Sequence, residues 1–67
     1  KEGYLVRKSD NCKDGCIPGI DEDYCDDRCK ARNQGGKKGW CQKYGCWCTG
    51  MPESTQTYPI PGKPCSS

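Results

Sequence analysis

Apolar positions along this chain come singly or in runs no longer than Tyr4-Leu5-Val6. A short run of that kind bounded by charged residues reads as a strand, which places a first strand near 2–6. In the polar stretch that follows, Cys25 and Cys29 are spaced i,i+4, so on a helix they share one face about 6 Å apart along the axis. Asp21, Glu22 and Asp23 offer N-cap and first-turn carboxylates, Asp26 and Asp27 follow, and Lys30 and Arg32 sit toward the C-terminal end, as the helix dipole favours. Gly35-Gly36 then stops the helix, which is predicted over about 23–33. Strands are predicted over about 37–42 and 45–50 around a tight turn at Lys43-Tyr44. Gly39 and Gly45 weaken those strands by propensity but permit a close helix and the turn. Pro52, Pro59, Pro61 and Pro64 exclude a helix or central strand from residues 51–64 and make that segment a rigidified surface loop. The order is β-α-β-β, with no repeat or low-complexity tract, in one expected domain over 1–67.

Composition explains why so few apolar residues can suffice. The chain has 67 residues and 8 cysteines, a density that belongs to small secreted disulfide scaffolds. Its fillers are Leu5, Val6, Ile17, Ile20, Ala31, Met51 and Ile60, too few for a self-sufficient core against about 1.5 kcal/mol of ordering entropy per residue. Covalent staples must replace buried area. No spanning-length apolar run and no leader-type hydrophobic segment opens the chain, so the expectation is a mature extracellular peptide in an oxidising compartment.

The cysteines stand at Cys12, Cys16, Cys25, Cys29, Cys41, Cys46, Cys48 and Cys65. On a strand, the i,i+2 pair Cys46 and Cys48 shares one face about 6.6 Å apart, which matches the spacing of the helical pair. A helix laid on a strand can therefore be riveted twice. Two ways of joining those four cysteines and three of joining the rest leave six frameworks. The combined spacing is the signal of the cystine-stabilised αβ motif.

Charge and side-chain chemistry remove several functions. Histidine is absent, which excludes Ser/His/Asp and Cys/His nucleophile arrangements and Cys₂His₂ zinc sites. Net charge is +2, too weak a field for nucleic acid. The carboxylates of Asp21, Glu22, Asp23, Asp26 and Asp27 fit a helix N-terminus, not a calcium loop, whose ligand spacing and central glycine are missing. Paired carboxylates for glycosidase chemistry have no cleft to work in. With Cys46 and Cys48 turned toward the helix, alternation puts Trp47 on the other sheet face. There Tyr4, Trp40 and Tyr58 can join it as packing or as a recognition patch; Tyr24 and Tyr44 complete the aromatic set. The basic residues Arg7, Lys8, Lys13, Arg32, Lys37, Lys38, Lys43 and Lys63 can face an acidic partner or an anionic membrane surface.

The opening Lys1-Glu2-Gly3-Tyr4-Leu5-Val6, the segment Cys25-Asp26-Asp27-Arg28-Cys29-Lys30, the run Gly45-Cys46-Trp47-Cys48 and the tail Pro59-Ile60-Pro61-Gly62-Lys63-Pro64-Cys65 resemble the long-chain scorpion toxins of voltage-gated sodium channels, in particular the β-toxins of New World scorpions. The resemblance covers the whole chain and all eight cysteine positions. It implies a small disulfide-rich α+β fold, a three-stranded antiparallel sheet with one helix, and pairings Cys12–Cys65, Cys16–Cys41, Cys25–Cys46 and Cys29–Cys48. It also implies a secreted, monomeric gating modifier that needs no cofactor or metal, does no enzymatic chemistry, and binds the extracellular side of a sodium-channel voltage sensor. Tyr4, Tyr24, Asp27, Arg28, Arg32, Trp40, Tyr44, Trp47 and Tyr58 are the expected channel-binding residues. The alternatives are a defensin-like antimicrobial peptide, a protease inhibitor, or a venom component weak on the usual channels.

Two departures from the resemblance bear on binding. Similar toxins carry a channel-contacting glutamate directly before the second helix cysteine, where this chain has Arg28, and the hydrophobic residues usual in the loop and turn are replaced by Gly19, Lys38, Gln42 and Lys43. On a helix Arg28 projects about 100° from Cys29, beside the bridged face, so its guanidinium is expected to reach solvent.

Overall fold

The computed structural model describes residues 1–66. Strand β1 is Gly3–Tyr4, helix α1 is Glu22–Lys30, and strands β2 (Lys38–Gln42) and β3 (Gly45–Thr49) form a hairpin. The sheet is antiparallel in the order β1-β3-β2, so β3 is central. This is the cystine-stabilised αβ architecture expected from the cysteine spacing.

Helix α1 lies on β2 and β3 because the two spacings do match. Cys25 bonds Cys46 and Cys29 bonds Cys48, with Cα–Cα distances of 5.1 and 5.3 Å, and all four side chains are completely buried. Cys16–Cys41 and Cys12–Cys65 complete the set, so the pairing implied by the resemblance is the one present, and no cysteine is free. Apart from cysteine, the buried apolar side chains among the described residues are only Leu5, Val6 and Met51. Gly39 is what allows the helix to come so close: a Cβ there would collide with Cys29 Sγ and stand 3.0 Å from the Cys25 carbonyl oxygen.

A second, polar set of fasteners runs parallel to the disulfides. Strand β2 is an edge, and on its outer side the Cys41 N–H donates to Glu22 Oε1 (3.0 Å) and the Gly39 N–H to Asp26 Oδ1 (2.9 Å). Glu22 and Asp26 are i,i+4 on the helix, and Gly39 and Cys41 are i,i+2 on the strand. The same match of helical and strand repeats therefore operates twice, once through sulfur and once through carboxylate.

The helix begins one residue earlier than the expected 23–33 and ends three residues sooner. Ala31 leaves helical geometry at φ −58°, ψ 149°, and the Gln34 and Gly35 amides turn back onto its carbonyl. The chain must reverse there, since the Gly36 amide donates to the Cys29 carbonyl and Lys37 to Thr49. Asp21 does not cap through its side chain; its Oδ2 accepts instead from the Ile17 amide at 2.7 Å and fixes the preceding turn. The first strand is shorter than 2–6 because the Leu5 amide still reaches the Cys46 carbonyl but Val6 already bridges to Lys13. Residues 51–64 form the expected surface loop, anchored by buried Met51, by the Tyr58 amide on the Tyr4 carbonyl, and by Cys65.

Candidate interaction surface

Two faces gather the candidate binding residues. On the outer side of the sheet, register sets Tyr4 and Trp40 on either side of Trp47, and a bridge sets Tyr58 beside Tyr4. Tyr4 and Trp47 meet edge to face, with ring centroids 4.8 Å apart. The Trp47 indole N–H donates to Glu2 Oε1 (3.1 Å), the Trp40 indole N–H donates to Gln42 Oε1 (3.2 Å), and the Lys13 ammonium sits 4.6 Å over the Tyr4 ring. All four rings are half-buried. The cluster expected from alternation exists, and within it Tyr4 and Trp47 hold one another.

The second face is built around the start of α1. The turn from Ile17 to Ile20 leads into the helix, closed by amides of Ile20 and Asp21 on the Ile17 carbonyl and by the Gly19 amide on Glu22 Oε2. This shape leaves the side chains of Ile17 and Ile20 outside, 53% and 75% exposed. The hairpin tip is brought alongside by the Cys16 amide, which donates to the Tyr44 carbonyl (3.1 Å). Lys43 and Tyr44 have φ of 48° and 65°, the left-handed pair that a two-residue hairpin turn requires and that asparagine and glycine usually supply. The Tyr44 ring is 69% exposed as a result of standing at that tip.

Tyr24 and Arg28, one helical turn apart, converge on Asp14. The Asp14 Oδ2 accepts from the Tyr24 hydroxyl (3.0 Å) and from Arg28 Nε (3.2 Å), while Asp14 itself is only 6% exposed. Burial, then the Asp14 bond, pushes the Tyr24 phenol above its usual range. The Arg28 side chain is 45% exposed, so the guanidinium reaches solvent as expected, but one edge of it is tied down. Asp27 and Arg32 are exposed and have no hydrogen-bond or ion-pair partner among the described residues. Of the other acids expected around the helix start, Asp21, Glu22 and Asp26 are engaged, and Asp23 has no partner among the described residues. Backbone amides of Gly19 and Cys41 hold the Glu22 carboxyl below the usual range, and Lys30, then the Gly39 amide, does the same for Asp26.

The structure thus brings Tyr4, Trp40, Trp47 and Tyr58 together on one face and Tyr24, Arg28 and Tyr44 on another. Sequence reasoning missed Ile17, Ile20 and Asp14. The two isoleucines flank Pro18-Gly19, and aliphatic residues beside a turn dipeptide in so apolar-poor a chain were a readable sign of exposure. Nothing in the sequence pairs Asp14 with residues ten and fourteen positions away.

The scorpion toxin-like domain family matches residues 1–55. Beta-toxin Cn5 of Centruroides noxius is 59% identical over 98% of this chain and 76% of its own length. Toxin Cll1 of Centruroides limpidus is 58% identical over 98% of this chain and all of its own length. Insect-toxin Cn10 of Centruroides noxius is 60% identical over 97% of this chain and 80% of its own length.

Proposed function

The chain belongs to the scorpion toxin-like family, whose matched members are toxins and not enzymes, and from that premise we propose that it is a secreted, monomeric gating modifier of voltage-gated sodium channels. It binds the extracellular side of a voltage sensor and shifts activation in the β manner. The observation that carries this reading is the exposure of Ile17, Ile20, Tyr24 and Tyr44, with Arg28 joined to Tyr24 through Asp14. A chain this poor in apolar residues leaves four of its largest outside, where aromatic and arginine side chains supply most of the energy of protein interfaces. The left-handed backbone at Lys43 and Tyr44 adds to it, because non-glycine residues held in that region cost about 1 kcal/mol or more each and concentrate at functional sites.

Such a protein works by differential affinity alone. Holding an activated sensor about 3 kcal/mol more tightly than a resting one offsets roughly 40 mV for a sensor carrying 3–4 gating charges. Voltage-clamp recording on sodium channels of insects and mammals tests this, since one relative is named a beta-toxin and another an insect toxin. The expected result is activation at more negative voltage on at least one channel. Unshifted activation on every channel at micromolar peptide would remove the proposal.

A further inference from the structure

Arg28 stands where the resemblance places a channel-contacting glutamate, and its surroundings are specific to the charge it carries. The Asp14 side chain is nearly buried, and burying a charged group is costly unless it is paired and hydrogen-bonded. Its backbone is fixed by the sheet: the Asp14 amide donates to the Leu5 carbonyl (2.8 Å), and its own carbonyl accepts from the Cys46 amide (2.9 Å). One carboxylate oxygen, Oδ2, then takes both the Tyr24 hydroxyl and Arg28 Nε. The guanidinium is planar, so tying Nε on the buried side sets the direction of the whole group. Its two Nη nitrogens make no hydrogen bond among the described residues, and the side chain is half in solvent.

We propose that Asp14 is a positioning residue that turns Arg28 outward as a two-nitrogen fork, and that the partner group received there is the carboxylate of an acidic protein side chain. This rests on the function proposed above and specifies its target: a channel presenting an acid, not a base, to the helix face. The fork matches a carboxylate in shape as well as sign, and an apposed cation would meet only donors. Tyr24, 45% exposed and bonded to the same Asp14 oxygen, borders it and excludes water from the contact when a partner closes over both.

The first test needs no channel. The folded, ¹⁵N-labelled peptide is titrated with sodium acetate, and with sodium chloride at matched ionic strength, while the Arg28 guanidinium and Tyr24 ring resonances are followed. Acetate-specific shifts at Arg28 are expected, reduced about fivefold or more in Arg28→Lys, which keeps the charge but loses the fork. Asp14→Asn should weaken the response similarly. If that variant does not form its four bridges, Arg28→Lys, altered at a half-exposed position, decides alone. No acetate-specific shift at Arg28, or an unchanged response in Arg28→Lys, overturns the proposal.

The second test uses a responsive channel, where Arg28→Lys should lower potency about tenfold and Arg28→Glu more. Retained or improved potency of Arg28→Glu would sink the fork while leaving the sodium-channel function standing. Acetate shifts together with silence on all channels would leave the fork and remove that function. Arg28-dependent binding to phosphatidylserine vesicles that matches the acetate response would replace the protein carboxylate by a lipid and likewise overturn it.

Discussion

The two faces use the same residue types to opposite ends. On the outer sheet, Tyr4, Trp40, Trp47 and Tyr58 are half-buried, and Trp47, Trp40 and Tyr4 are engaged by Glu2, Gln42 and Lys13 in turn. At the helix start, Tyr44 and Ile20 touch little, and their backbone is what holds them in place. The difference lies in what a ring touches: Trp47 meets Tyr4 and Glu2 within the fold, whereas Tyr44 stands largely in solvent.

Both faces depend on the plate of α1 against β2 and β3, and the largest effect comes from breaking it. Replacing Cys29 and Cys48 together by alanine should cost about 2–5 kcal/mol, enough to abolish cooperative folding of so small a domain, as thermal unfolding by circular dichroism would show. Gly39→Ala comes next. With its Cβ forced against Cys29 Sγ, the helix must lift, at a cost of about 1–3 kcal/mol read as a lower unfolding temperature.

The comparison itself is sharpened by a pair of truncations. Trp47→Ala should destabilise by about 1–3 kcal/mol, since it removes the edge-to-face partner of Tyr4 and orphans Glu2. Tyr44→Ala should change stability by less than about 0.5 kcal/mol and lower channel potency about tenfold. Denaturation curves and dose–response curves on the same two variants would decide it; a stable but inactive Trp47→Ala would reverse the roles assigned to the faces.

The smallest effect is that of acid. Glu22 and Asp26 have carboxyls held lower in the folded state than in the unfolded chain, so their contribution is complete above the unfolded carboxylate range of about pH 4 and is lost as pH falls through their folded values. Amide hydrogen exchange at Gly39 and Cys41 should accelerate in that acidic window once intrinsic rates are allowed for, while exchange at Leu5 and Cys46, whose amides meet backbone carbonyls, should not.

How far the sequence could be read follows from what its spacings encode. Cys25 and Cys29 against Cys46 and Cys48 point to a helix on a strand because their spacings match, the order of the bridges coming from the resemblance, and the alternation at Trp47 fixes which face its ring occupies. The early end of α1 at Lys30 was not readable, since Ala31, Arg32 and Asn33 tolerate a helix and yield only to the reversal that carries Lys37 onto Thr49. The acids at the helix start were readable as local charges but not as acceptors for Cys41 and Gly39, which are brought opposite only by the fold. Asp14 was invisible for the same reason. Its importance lies wholly in being covered by Tyr24 and Arg28.

The carboxylates of Glu22 and Asp26 have one more effect, on how molecules of this protein meet one another. A sheet edge with free amides templates strand addition between copies, and short hydrophobic chains at high concentration are prone to it. Here the β2 edge has its outward amides at Gly39 and Cys41 already given to the helix, and beyond β1 the Tyr4 carbonyl already accepts from Tyr58. Neither edge offers a continuous row to a second copy. A second copy approaching β2 therefore meets outward donors already committed inside the molecule.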